Sequence, residues 1–171
     1  MIEFHSRRKL IIGFMAASFI LPAMAQAGSD RNTPLAGTWT LVSAVNTMSD
    51  GQKIDVFFGS NPKGRVIFTP QGHFSVLFSK DGLPKFASGA RQSGTPEENQ
   101  AVVQGSLAYS GTYTVDAAKK ALVMNVDVST FPAWIGQVQK REYTLEADRL
   151  QWVGVVGAQG GNLIISLQRA K

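Results

Sequence analysis

The chain has 171 residues and no cysteine. That excludes disulfides, thiolate catalysis, Cys-based zinc sites and lipid attachment through an N-terminal cysteine. Histidine is almost as scarce. His5 lies in the segment read below as a leader, which leaves His73, and one histidine cannot build a His-ligated metal centre. No D-x-D-x-D-G run marks a calcium loop, so no metal and no cofactor is expected. Charged residues make up only 17%, and the sole basic run is Arg7-Arg8-Lys9. A nucleic-acid surface needs clustered Lys and Arg, so no nucleic-acid partner is expected. The longest apolar stretch, residues 10–21, is interrupted by Pro22 and falls short of the about 20 residues that span a bilayer.

What is present at the N-terminus has a consistent reading. Ser6-Arg7-Arg8-Lys9 forms a basic region, residues 10–21 an apolar core, and Ala23-Met-Ala25 and Ala25-Gln-Ala27 are small-x-small cleavage sites. Residues 1–27 are therefore expected to be a signal peptide cleaved near Ala25 or Ala27, leaving no stable membrane span. The Arg pair admits either a general secretory or a twin-arginine route. Both place the mature protein in the periplasm or outside the cell. The leader carries +2 of the +5 formal charge, leaving +3 on the rest. Residues 28–34 read as a polar linker, and 35–171 as one domain.

Within that domain, apolar and polar residues alternate with period two. Leu35, Gly37, Trp39 and Leu41 share one face of a first strand. Val66 and Phe68, then Phe74, Val76 and Phe78, share the inner face of a hairpin turned by Pro70-Gln-Gly72. Further strands follow. Leu107, Tyr109, Gly111, Tyr113 and Val115 share a face, as do Leu122, Met124, Val126 and Val128. A strand over 136–146 turns Gln137, Gln139, Arg141, Tyr143 and Leu145 to one side. Leu150, Trp152 and Val156, then Leu163, Ile165 and Leu167, complete the set. The long interruption is residues 80–106, where Thr95, Pro96 and Glu98 form a capping box at the start of a helix running to about Gly105. The pattern predicts an all-β fold: an eight-stranded antiparallel up-and-down barrel with one short helix inserted between strands 3 and 4. Closure removes exposed edges, and eight strands enclose either packed side chains or one small ligand.

Gly37-Thr-Trp39 resembles the lipocalin G-x-W signature. More specifically, Pro84-Lys-Phe-Ala-Ser-Gly-Ala-Arg91, Gly94-Thr-Pro-Glu-Glu-Asn99, Gly111-Thr-Tyr-Thr-Val-Asp116, Phe131-Pro-Ala-Trp134 and Gln139-Lys-Arg141 resemble the bacterial and fungal lipocalin-like domain family, over roughly residues 35–169. The resemblance implies a calycin-type β-barrel, with Arg169 placed over Trp39. The chain departs from the family loop at Ala90 and Ala133, where Asn is common. It departs from true lipocalins in lacking a T-D-Y motif and a helix after the last strand. Fold follows from this more firmly than function, because function resides in the site.

The sharpest candidate is Arg141 with Gln139 and Tyr143. A guanidinium facing a barrel interior is costly unless paired, and a ligand carboxylate, phosphate or enolate could pair it. An ion pair with Glu97 or Glu98, or a bulge turning Arg141 outward, would equally relieve it. Tyr109 and Tyr113 face the core and can contact a ligand or simply pack. Phe86 and Arg91 flank Gly89 in the interruption, which reads equally as a lid or as a packed plug. Trp134, in the aromatic loop 131–134, completes the candidate ligand-binding set, and no catalytic group is assigned. The expected function is an exported lipocalin-like protein binding a small hydrophobic or amphipathic molecule, with an anionic group admitted by Arg141. Two alternatives stay open: an isomerase or cyclase on the same barrel, and a filled barrel acting as a structural or interaction module.

Overall fold

The structure is a computed structural model describing residues 33–55, 58–154 and 160–171. The expected leader, and the linker up to residue 32, lie outside the described residues, as does Val156. The described strands are β1 (Gly37–Thr47), β2 (Lys53–Asp55), β3 (Lys63–Phe68), β4 (His73–Ser79), β5 (Ser106–Asp116), β6 (Ala121–Ser129), β7 (Val138–Glu146), β8 (Arg149–Val153) and β9 (Asn162–Arg169). They form one antiparallel sheet in which each strand from β3 to β9 pairs with its neighbour in sequence, and β1 pairs with both β3 and β9. Eight strands thus close the expected ring. The short strand β2 is additional. It pairs with the last residues of β1, along the edge whose first residues hold β3. Because of β2, the inserted helix α1 (Pro96–Gly105) falls between the fourth and fifth strands in chain order rather than the third and fourth.

Alternation sets what is inside. β4 buries Phe74, Val76 and Phe78, and β7 buries Gln139, Arg141 and Tyr143. Two irregularities shift the phase. In β1 the register slips between Leu41 and Ser43, so Val42 is an extra outward residue, the inward parity changes from odd to even, and Ala44 and Asn46 become the buried residues. Between β5 and β6 it slips at Ser110/Gly111, which reverses the parity of β6 beyond Val126. Val128, expected on the inner face, is consequently exposed. Gly111 sits at that slip, where a Cβ would collide with the Asn125 carbonyl.

One end of the barrel is sealed. Trp39 is fully buried, donates its indole N–H to the Leu35 carbonyl at 2.8 Å, and lies opposite Arg169 in the β1–β9 register. The Arg169 guanidinium carbon stands 4.2 Å from the indole centroid. Its nitrogens reach Asp148 at 3.2 Å, Ala36 O at 2.9 Å and Pro34 O at 2.9 Å. Gly37 allows this approach, with φ +129° and a would-be Cβ only 3.0 Å from the guanidinium. Tyr113 adds to the seal by donating its hydroxyl to Thr69 O at 2.9 Å and packing edge-on against Phe68.

Candidate ligand-binding site

The other end is open. It lies where β4 runs into the insertion, where β5 begins and where β6 leaves the ring. Beyond Val126 the neighbour of β6 is no longer β7 but a single 3-10 turn, Pro132–Trp134, held by Gly136 N to Val126 O and Val126 N to Gln137 O. Thr130 braces the start of β5 by accepting from Ala108 N and donating to Ala108 O. A cavity of about 440 Å³ begins here and descends into the barrel, within the range of small-molecule sites. Its rim is Val103, Gln104 and Ser106 from the end of α1 and start of β5, Thr130 and Phe131 beside the 3-10 turn, and Gly154 and Leu163 from the β8–β9 connection. Its walls are Phe58, Phe78, Leu107, Tyr109, Trp134, Arg141, Trp152 and Ile165.

The walls are strongly aromatic. Phe131, Trp134, Tyr109 and Phe74 form an edge-to-face series running inward, with centroid separations of 5.7, 5.2 and 5.7 Å. Phe58 and Phe78 meet edge-on at 5.7 Å. Such rings offer a flat apolar ligand both area and preferred stacking geometry.

Against this apolar lining stands one cationic group. Arg141 is 3% exposed. Its Nη1 donates to Val153 O at 3.2 Å and its Nη2 to Gln139 Oε1, while its Nε has no acceptor. Gln139 Nε2 is buried without a partner as well. Burial pushes the Tyr109 phenol above the ordinary tyrosine range, and the neighbouring Arg141 charge opposes that rise without cancelling it. The hydroxyl therefore stays protonated at neutral pH.

The sequence candidates separate accordingly. Arg141, Tyr109 and Trp134 line the cavity, with Gln139 directly behind Arg141. Tyr143 and Tyr113 are buried on the same inner faces but outside the cavity lining. Phe86 and Arg91 belong to the insertion and do not line it either. Phe86 packs against Gly94, and Arg91 is exposed. Neither alternative resting place for Arg141 is realised, since it points inward and no carboxylate pairs with it among the described residues. Glu98 is occupied elsewhere, accepting from Ala87 N and Thr95 N at 2.8 Å each. Sequence reasoning did not single out Phe58, Phe78, Leu107, Trp152 and Ile165 as lining residues. Their alternation marks most of them as inward-facing, but it does not say which inward residues pack together and which border a void.

A closed eight-stranded barrel, sealed at one end by an Arg–Trp latch and hollow at the other, is a small-molecule-binding architecture. The chain belongs to the lipocalin-like domain family, whose model matches residues 36–161. It is 31% identical over 83 residues, 45% of this chain and 75% of the relative, to the 4'-hydroxy-3'-methoxypropiophenone carrier protein ppsC of Aspergillus oryzae. Among solved structures it is similar to a redesigned beta barrel, at 18% identity and TM-score 0.39, covering 80% of this chain and 92% of that one.

Proposed function

We propose that the protein is an exported carrier that holds one small, largely apolar molecule inside the barrel. The observation that carries this reading is the cavity of about 440 Å³ with aromatic walls, open at the rim formed by α1 and the 3-10 turn. The similarity to a fungal protein named as a carrier of an aromatic ketone supports the same reading and favours an aromatic ligand. Export rests on the basic, apolar and small-x-small order of residues 6–27. The insertion plays a limited part. Val103 and Gln104, in the last turn of its helix, reach the rim, whereas residues 85–95 are organised around their own hydrogen bonds.

Native mass spectrometry of the purified protein, with and without added aromatic ketone, tests the reading. A one-to-one adduct is expected, together with a rise in melting temperature. Leu107→Trp puts bulk into the cavity from a half-buried position in its wall. This variant should fold and lose the adduct. Unimpaired binding by it would place the ligand outside the barrel.

A catalytic reading has one specific support, the protonated Tyr109 phenol beside Arg141. A phenol and a guanidinium together can polarise a ligand carbonyl and stabilise an enolate. Under that reading, ligand recovered after incubation elutes as a different compound. A carrier returns it unchanged.

A further inference from the structure

The barrel holds two arginines in contrasting states. Arg169 has a carboxylate partner, two carbonyl acceptors and an indole face, so its charge is paired and each of its three nitrogens has a partner in the seal. Arg141 is more deeply buried, yet it has only neutral partners and an unsatisfied Nε. The amide nitrogen of Gln139, whose oxygen holds Arg141 in place, is unsatisfied too. A buried cation without an anion is costly, and proteins ordinarily pair it. Here the unpaired cation borders an apolar cavity of about 440 Å³.

We propose that this cavity selects a monoanion: an aromatic body bearing a single carboxylate, sulfonate or acidic phenol or enol, whose charged group is received by Arg141. The assignment rests on the carrier reading above and names the ligand class for it. A neutral ligand leaves the guanidinium uncompensated, and a cationic one is repelled. The rest of the wall is apolar and aromatic, with Trp134, Tyr109 and Phe78 among its rings, so it favours an apolar remainder. Charge-assisted hydrogen bonds of this kind are stronger than neutral ones, and more so away from water. A weak-acid ligand is consequently bound in its ionised form and released as pH falls below its own pKa.

The matched probes are 1-anilinonaphthalene-8-sulfonate and N-phenyl-1-naphthylamine, which share a skeleton and differ by one sulfonate. Both are titrated by fluorescence into the purified protein. Each should bind once and displace the other, with the sulfonate tighter by about tenfold or more. Arg141→Met should abolish that preference, and Arg141→Lys should retain part of it. Equal affinity of the two probes for the unaltered protein overturns the assignment, as does a sulfonate preference that survives Arg141→Met. If Arg141→Met does not fold, the comparison on the unaltered protein still decides. Failure of both probes to bind overturns the carrier reading itself, whereas equal binding overturns only the charge selection.

Discussion

Arg169 illustrates how much one side chain can hold when each of its nitrogens has a partner. Its guanidinium joins the start of β1, the β7–β8 turn and the indole of Trp39. A cation over an indole contributes about 0.5–2 kcal/mol, and hydrogen bonds from a charged donor add to it. Arg169→Ala is therefore expected to lower stability by about 2–3 kcal/mol in urea denaturation. Arg169→Lys should recover only part of that loss, because an ammonium cannot reproduce the planar fork that reaches two carbonyls and a carboxylate. A loss under about 0.5 kcal/mol for the alanine variant would show that the latch is ornamental. Gly37→Ala should weaken the same latch from the other side, by forcing a Cβ towards the guanidinium in a backbone conformation that favours glycine.

Among the elements, α1 is the one most completely specified by local chemistry. Thr95 accepts from Glu98 N, Glu98 accepts in return from Thr95 N, and Pro96 occupies the first turn. The second carboxylate oxygen of Glu98 reaches back to Ala87, and Asn99 donates to Gly94 O. The segment from Ala87 to Asn99 thus folds upon itself. Thr95→Ala should cost about 1 kcal/mol, but locally. Hydrogen exchange should quicken at Ala87, Thr95 and Glu98 and remain unchanged in β5 and β6. Uniform acceleration across the barrel would show that the insertion is coupled to the whole fold. This helix was legible in the sequence because its signals are contiguous, and the inward set of β7 was legible because Gln139, Arg141 and Tyr143 simply alternate. The phase slips in β1 and β6 were not legible, since an extra residue such as Val42 leaves the composition unchanged and shows itself only in the partner strand. The three-residue strand β2 offers too short a pattern to be read at all. The site was half legible. The charged residue announces itself by being inside, but the mouth depends on where β7 parts from β6, and that is a property of the closed ring.

For the molecule as a whole, all three tyrosines of the chain are inside the barrel. Burial raises the phenols of Tyr109, Tyr113 and Tyr143 alike. In the unfolded chain they would ionise near about pH 10. The folded state holds these protons more tightly, so the stability they contribute is complete below that value and is lost as pH rises through the folded values. Phenolate absorbance at alkaline pH should therefore appear together with the loss of sheet circular dichroism, in one transition. An independent rise of absorbance near the free-tyrosine midpoint, with the sheet intact, would contradict this. The ring closure has a further consequence for how the molecule comes into being. The latch joins Ala36 to Arg169 across 133 residues, and β1 is paired with β9 along nearly its whole length. A chain synthesised from its N-terminus exposes Trp39 and Leu41 on an unpartnered edge until the final strand has emerged. Hairpins such as β3–β4 can form early, but the seam can form only last. Trp39 and Leu41 therefore stay without their β9 partners for nearly the whole of translation, and closure of the barrel is the last step of folding.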